Sequence, residues 1–447
     1  MASGDDIVIP PELVGEAMEA LCGHIEGIHG SARWLGKNGH HEASIYFSVL
    51  CMEEISKHHA MSAHRGEGVT SRDIELDHAA KVAGFLDAAV PPAGDGPGCQ
   101  GLPPGQEMAS TLCDIKERAV YFGPAGGAAS TLGGLLGEGP LEAVSDLLLS
   151  VTGQAVASLQ GRAGAGRDGT VAGSPPPRKG MRACLAEVMA IVGAPLAGTT
   201  PGDGEIPHCR LDAVLHDLEY HLGDLAKATH GLHEAGHEAA SVLLAVITLE
   251  EGARYYLLAK CRREGRNVGA KELHDMRTHK KKLSEFFKDV ARALGEKNKR
   301  GEGEGYVVLD PHYYVNLNGV KELAAYFVHI AGETMTLEGI LGGSARDLAE
   351  YVNESVQGII SWMVVCDGDS NDPYMIHNKN PAHFERYERL ARFRTDPENS
   401  VPWDGWYAMV VLLKCLNDEV RSLHSKGCKA RLRALREFGH VGKGERR

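Results

Sequence analysis

Apolar residues recur at helical spacing along most of this chain, and β-branched residues rarely alternate with polar ones. The pattern therefore predicts a mainly α-helical fold. Residues 12–36 place Leu13, Ala17, Leu21, Ile25, Ile28 and Leu35 near one helical face, and the run Gly36-Lys37-Asn38-Gly39 ends that helix in a turn. A second helix is expected over residues 41–64, with Ala43, Tyr46, Phe47, Leu50 and Met52 on its buried side, broken by Gly66-Glu67-Gly68. Ser71 is placed to cap a third helix that starts near Asp73 and carries Leu76, His78, Lys81, Val82 and Phe85. Residues 91–104 read as a Gly/Pro surface loop, residues 115–122 as a short element ending on an aromatic, and residues 140–159 as a fourth helix.

The order then repeats. Pairing Glu53-Glu54 with Glu250-Glu251 at a constant offset also brings His24 onto His221, Leu35 onto Leu232 and Gly39-His40 onto Gly236-His237. The same offset matches Ala43-Ser44 with Ala240-Ser241, Arg65 with Arg262 and Gly68 with Gly265. After a four-residue insertion, His78, Lys81 and Phe85 fall on His279, Lys282 and Phe286. Tyr121 is then matched with Tyr306, and residues 320–341 are read as a replay of the fourth helix. A repeat of this length is a duplicated domain, not a solenoid. The expected organisation is one unit over 12–160, a Gly/Pro-rich linker over 161–209 holding a short helix at 181–192, and a second unit over 210–366. A helical extension with a basic tail follows over 367–447. Asp367-Gly-Asp-Ser-Asn-Asp-Pro373 lacks the spacing to a Glu ligand that a calcium loop needs, and reads as a turn.

Composition narrows the classes. In 447 residues the formal charge of −13 argues against a general nucleic-acid coat, and the ten cysteines show no C-x-x-C pair. No apolar run reaches the ~18 residues of a spanning helix, and the acidic N-terminus lacks the order of a signal peptide. A cytoplasmic protein without membrane partners is expected, its thiols free.

The candidate chemistry lies in the repeated signature. Glu53 and Glu54 sit one helical turn before Lys57, and Glu250 and Glu251 one turn before Arg254, so intrahelical ion pairs are available. Each signature is followed by His-x-x-Lys, His78 with Lys81 and His279 with Lys282. A short connection makes helices two and three neighbours, which brings the acidic pair towards His78. A Glu beside a His fixes its tautomer, and this suits either acid–base chemistry or a polar clamp between helices. A metal site at Glu54, His58, His59 and His78 is not shared by both copies, because Tyr255 and Tyr256 replace His58 and His59; no metal and no cofactor are expected.

A helix ending in Glu-Glu-x-x-Lys, then His-x-x-Lys, then a basic stretch running into Tyr-Val resembles the AbiV-type abortive-infection proteins of the HEPN group. The resemblance covers residues 15–160 and 212–342 as two tandem units. It is closer in the second copy, at Thr278-His279-Lys280-Lys281-Lys282-Leu283 and Gly305-Tyr306-Val307 with Asp310 nearby, and it departs from the pattern at Arg254 and at Val120-Tyr121-Phe122-Gly123. It implies an all-α pair of antiparallel HEPN-like bundles, arranged as a homodimer or as a pseudo-dimer within one chain. It also implies a phage-defence role, in which a phage or host protein is bound and growth or translation stops. Many HEPN proteins are metal-independent ribonucleases using Arg-x4-6-His. Arg72 and His78 fit that spacing, as phosphate clamp and base, with His279 as the second copy's histidine. Arg33–His40 and Arg433–His440 fit it too, and Leu273 stands where the second copy's arginine would fall. Lys280, Lys281 and Lys288 belong to a basic run that either tracks an RNA backbone or forms a solvated helix face. A non-catalytic helical scaffold is the reading from a third class.

Overall fold

Two helices that are buried on every side form the middle of the protein. A computed structural model describes residues 7–70, 73, 77–90, 105–125, 128–164, 180–197, 205–277, 281–286 and 321–327, with short pieces between 329 and 356. Within it, α1 spans Pro11–Lys37 and α2 spans His41–Ala63. Residues 43–57 of α2 are buried without interruption, so the predicted one-sided burial of this helix understates it. A helix with apolar residues all round is a core helix. Around α2 pack α3 (His78–Ala89), α4 (Gly105–Val120) and α6 (Glu138–Gly164), with the short α5 (Leu132–Leu136) between the last two.

The short element expected before Phe122 is in fact the end of the sixteen-residue α4. Met108, Ala109, Leu112, Ile115 and Ala119 give it a buried stripe that extends back towards the Gly/Pro stretch. The helix carrying His78 starts at that residue. The Asp77 carboxylate accepts from the Ala80 N–H at 2.7 Å, while Asp73 binds back to the N–H and hydroxyl of Thr70. Ser71, expected as a cap, lies outside the described residues, as do residues 91–104. Within the stretch read as linker, α7 (Met181–Ala197) buries Cys184, Leu185, Val188 and Val192 and packs on α6.

The second half begins with α8 (Leu211–Glu234) and α9 (Glu238–Arg263), the counterparts of α1 and α2. Residues 240–256 of α9 are again buried throughout. The copies agree in detail. Gly39 and Gly236 both take positive φ, 81° and 79°, in the turn between the paired helices, where a Cβ would be strained. The Ser44 hydroxyl donates to the Ala32 carbonyl, and the Ser241 hydroxyl to the Thr229 carbonyl, both at 2.9 Å. A short α10 (Ala270–Arg277) follows, and the described strands are two or three residues long and pair only in twos, β1 (Ile7–Ile9) with the distant β2 (Val69–Thr70) and the others in hairpins. The described part of the molecule is therefore all-α in class. No described helix is long and apolar enough to cross a membrane.

The predicted replay of the fourth helix over 320–341 is not what the chain does. Residues 321–325 are helical, Tyr326 and Phe327 leave the helix, and β5 (His329–Ile330) pairs with β6 (Glu333–Thr334). This repeats the end of α4, where Tyr121 and Phe122 lead into β3 (Gly123–Ala125) and β4 (Ala128–Ser130). Tyr121 thus corresponds to Tyr326, not to Tyr306. The segments Lys116-Glu-Arg-Ala-Val-Tyr-Phe122 and Lys321-Glu-Leu-Ala-Ala-Tyr-Phe327 align without a gap.

The halves meet along α1 and α8. Trp34 lies against Gly231, its own equivalent in the repeat, and a Cβ on Gly231 would stand 2.2 Å from the indole. Close to it, the Ser31 hydroxyl lies 3.2 Å from His237 Nδ1, and His40 Nδ1 lies 3.1 Å from the Asp224 carboxylate. Gly231→Ala is expected to cost about 1–3 kcal/mol by overpacking. Urea denaturation of the single variant and of the pair with Trp34→Leu measures this, and the penalty should shrink in the double variant because the two positions couple.

Candidate functional site: two buried acidic pairs and a half-exposed histidine

Four carboxylates, those of Glu53, Glu54, Glu250 and Glu251, have no solvent exposure. A buried charge is tolerated only when it is paired and hydrogen-bonded, so the partners of these four define the site. Glu53 takes the Lys116 ammonium at 2.6 Å on one oxygen and His78 Nδ1 at 2.9 Å on the other. Glu250 takes the Lys321 ammonium at 2.8 Å, and Lys321 is the residue that matches Lys116 in the realigned repeat. Glu54 lies 2.7 Å from the Lys57 ammonium, and Glu251 lies 3.1 Å from the Arg254 guanidinium. The expected pairs one turn apart are thus present at Glu54–Lys57 and Glu251–Arg254. Glu53 turns to Lys116 and His78 instead of Lys57, because these approach it from α4 and α3.

Glu54 and Glu251 also bind the opposite half. Glu54 accepts the Phe327 backbone N–H at 3.2 Å, and Glu251 accepts the Phe122 N–H at 3.0 Å. His24 Nε2 reaches the Ala325 carbonyl at 3.2 Å, and His221 Nε2 reaches the Val120 carbonyl at 3.1 Å. Helix ends leave carbonyl groups without intrahelical partners, and here a histidine from the other half serves each of them. Rings cross over as well. Tyr326 lies 5.0 Å from the Lys57 ammonium and 5.1 Å from that of Lys81, while Tyr121 lies 4.6 Å from that of Lys282. Each half's acidic pair therefore grips the other half's Tyr-Phe turn.

Burial by itself would raise the carboxyl groups of Glu53 and Glu251. The His78 hydrogen bond and the Lys116 charge overcome this at Glu53, and the Arg254 and Lys282 charges overcome it at Glu251, so both are held below the ordinary carboxylate value. Burial pushes the Lys282 ammonium down despite Glu251 beside it, and pushes Lys81 down with help from Lys57. The phenols of Tyr46, Tyr121 and Tyr326 are raised well above their ordinary value, first by burial and then by the surrounding carboxylates. At His221 burial acts downward, but the bond to the Glu42 carboxylate at 3.2 Å outweighs it and raises the imidazole.

Within this network His78 is half exposed, its side chain keeping 49% of its accessible surface. A carboxylate can only accept, so the Nδ1 facing Glu53 carries the proton and donates. Nε2 is then the lone-pair nitrogen, and among the described residues nothing is bonded to it. Lys116 Nζ and the Tyr326 hydroxyl stand 3.2 Å and 3.4 Å from Nδ1. A His held this way has one tautomer and one accessible basic nitrogen, the arrangement a general base needs.

Of the other expected site residues, Arg72, His279, Lys280 and Lys288 lie outside the described residues. Lys281 is half exposed and pairs locally with Asp275. His58 and His59 pack edge to face with ring centroids 6.1 Å apart. Among the described residues no group of three or more His, Cys, Asp or Glu side chains is placed to hold a metal ion. The residues that motif reading missed are Lys116, Lys321, Tyr326 and the two Phe N–H groups. For the side chains the signal was the Lys-x4-Tyr-Phe repeat. For the N–H groups there was none, since every residue but proline has one.

Compared with known protein families, curated proteins and solved structures, the chain matches none.

Lys282→Met removes the one cation, among the described residues, that lies within 3.9 Å of both second-half carboxylates. Glu251 keeps Arg254 and Glu250 keeps Lys321, so the expected cost is that of a lost buried charge-assisted hydrogen bond, about 1–3 kcal/mol. Equilibrium urea unfolding reads this directly. Because the Glu53 and Glu251 carboxyls are depressed, their contribution is complete above the unfolded value of 4.5 and is lost as pH falls through their lower folded values. His221 works in the opposite direction. Its imidazole is raised, so its contribution is complete below 6.5 and fades as pH rises through the folded value. Urea midpoints followed from neutral pH into acid should fall steeply in the parent chain and less steeply in Glu251→Gln; equal slopes would refute the assignment.

Proposed function

We propose that this chain is an abortive-infection protein of the HEPN kind, with its two units paired inside one polypeptide, and that it stops growth by cutting RNA at His78. One observation carries the reading. His78 is half exposed with nothing among the described residues bonded to its Nε2, while its Nδ1–H is tied to Glu53, a carboxylate buried in the core and neutralised by Lys116.

The chemistry follows from that geometry. Nε2 of His78 takes the proton from a ribose 2′-hydroxyl as the 2′-oxygen attacks the adjacent phosphorus. The O2′–P bond forms, the P–O5′ bond breaks, and the products are a 2′,3′-cyclic phosphate and a 5′-hydroxyl whose proton comes from the imidazolium. Glu53 stabilises that imidazolium without taking its proton, since its carboxyl is held below the ordinary value. Negative charge grows on the non-bridging oxygens, and Lys81, half buried and one helical turn from His78, is the described cation placed to offset it. Arg72, in the Arg-x5-His spacing, is the further cation that the resemblance supplies.

The second half supports a different role for its own signature. Glu250, Glu251, Arg254 and Lys282 are all buried, with Lys282 and Arg254 on Glu251 and Lys321 on Glu250, which is the arrangement of a lock between helices. A target-binding protein without catalysis would need only such locks.

Purified full-length chain incubated with tRNA and mRNA in the presence of a chelator should yield cyclic-phosphate ends, and His78→Ala should lower the rate about 10²–10⁴-fold. Absence of cleavage, or cleavage indifferent to that change, would refute the ribonuclease reading. If phage plaque counts nonetheless fell on expression of the gene, the target-binding form of the defence role would stand. Unchanged plaque counts would remove the defence role.

A further inference from the structure

The two His-x-x-Lys lysines are in different states. Lys282 has no solvent exposure. Its ammonium lies 2.7 Å from one Glu251 oxygen and 3.9 Å from a Glu250 oxygen, with the Tyr121 ring 4.6 Å away. Lys81, its counterpart, is only half buried. Among the described residues no carboxylate lies within ion-pair distance of it, and its contact is the face of Tyr326. The nearby carboxylates are already taken, Glu54 by Lys57 and Glu53 by Lys116 and His78. Lys81 is thus a cation held close to Lys57 without a counter-ion of its own. It is one helical turn from His78 and on the same face. The Tyr326 hydroxyl, delivered by the second half, stands beside the same histidine.

We infer that Lys81 and the Tyr326 hydroxyl form an anion subsite that holds a phosphate oxygen next to His78 Nε2, and that the equivalent lysine, Lys282, has become part of the core and binds no ligand. This rests on the preceding reading only in taking the substrate to be a phosphodiester. A phosphate group supplies the missing counter-charge, and the phenol donates a hydrogen bond to a second oxygen. The subsite is assembled across the two halves, because the ring that orients Lys81 belongs to the second. Of the two lysines, only Lys81 is then open to substrate.

The test uses the full chain, with inorganic phosphate and a non-cleavable 2′-O-methyl dinucleotide as probes. Calorimetric titration and the ligand-dependent rise in melting temperature give two independent readouts. Lys81→Gln should weaken phosphate binding about ten- to hundred-fold and abolish the rise in melting temperature, while Lys81→Arg retains both. Tyr326→Phe should weaken binding about two- to ten-fold. Lys282→Gln should lower the melting temperature in the absence of ligand and leave phosphate affinity unchanged. The inference is overturned if the parent chain does not bind phosphate, if Lys81→Gln binds it as well as the parent does, or if the dinucleotide fails to compete with it. Phosphate binding that depends on Lys81, in a protein that cleaves no RNA, would keep the subsite and discard the ribonuclease reading.

Discussion

Two adjacent carboxylates buried in the middle of an apolar helix are the constraint on which the rest of this structure depends, and the chain contains that constraint twice. Desolvating a carboxylate costs several kcal/mol unless opposite charge and hydrogen bonds replace the lost water, by about the same order for each ion. The helix itself can supply one cation a turn away, Lys57 or Arg254, and no more. The other cations must come from neighbouring helices, and the last hydrogen bonds come from the backbone of the opposite half. Local sequence demands a bundle around each central helix, and the bundle demands its partner. Folding the two halves together is thus a matter of satisfying charge as well as of covering apolar surface.

Much of the frame was legible in the sequence. The 3.6-residue spacing located α1, α2 and α6, and the constant offset between Glu53 and Glu250 carried that reading to the paired helices of the second half. Those signals survive because a buried helix leaves a long and redundant imprint. The site was less legible. Matching Tyr121 with Tyr306 followed the nearest tyrosine after the His-x-x-Lys motif, whereas the seven-residue match ending at Phe122 and Phe327 gives the true correspondence. That slip hid Lys116 and Lys321, the cations that make two buried glutamates tolerable. The hydrogen bonds from Phe122 and Phe327 to the opposite half were beyond reach, because a backbone N–H leaves no trace in residue identity. One turn of helix predicts Glu54–Lys57; only the tertiary fold turns Glu53 away from Lys57 towards His78.

Tautomer control at His78 is a by-product of the same charge balance. Glu53 must be neutralised whether or not the protein has any chemistry, and Lys116 already does most of that. The imidazole adds a hydrogen bond from a position at the edge of the network, where one ring nitrogen is dry and the other wet. A structural lock and a general base differ here by the exposure of a single ring. This is why the glutamate-rich signature is read at once as core and as site: Glu54, Glu250 and Glu251 pair with neighbouring cations and backbone, while Glu53 pairs with Lys116 and also holds His78.

Fusion explains how the two copies came to differ without losing their fit. In a symmetric homodimer every interface residue meets its own equivalent or a repeated partner, so any change is made twice. Within one chain the partners are free to diverge. At the contact between α1 and α8 a tryptophan in the first half fills the space left by a glycine at the matching position of the second. Two tryptophans could not occupy that place, and two glycines would leave it empty. The knob and hole therefore specify the pairing of unlike halves, and they remove the requirement that both signatures stay open. Once Trp34 and Gly231 make the halves obligate partners, burying Lys282 on Glu251 strengthens the assembly without costing the site at Lys81. The half that stabilises and the half that presents His78 have become separable by sequence while remaining inseparable in the fold.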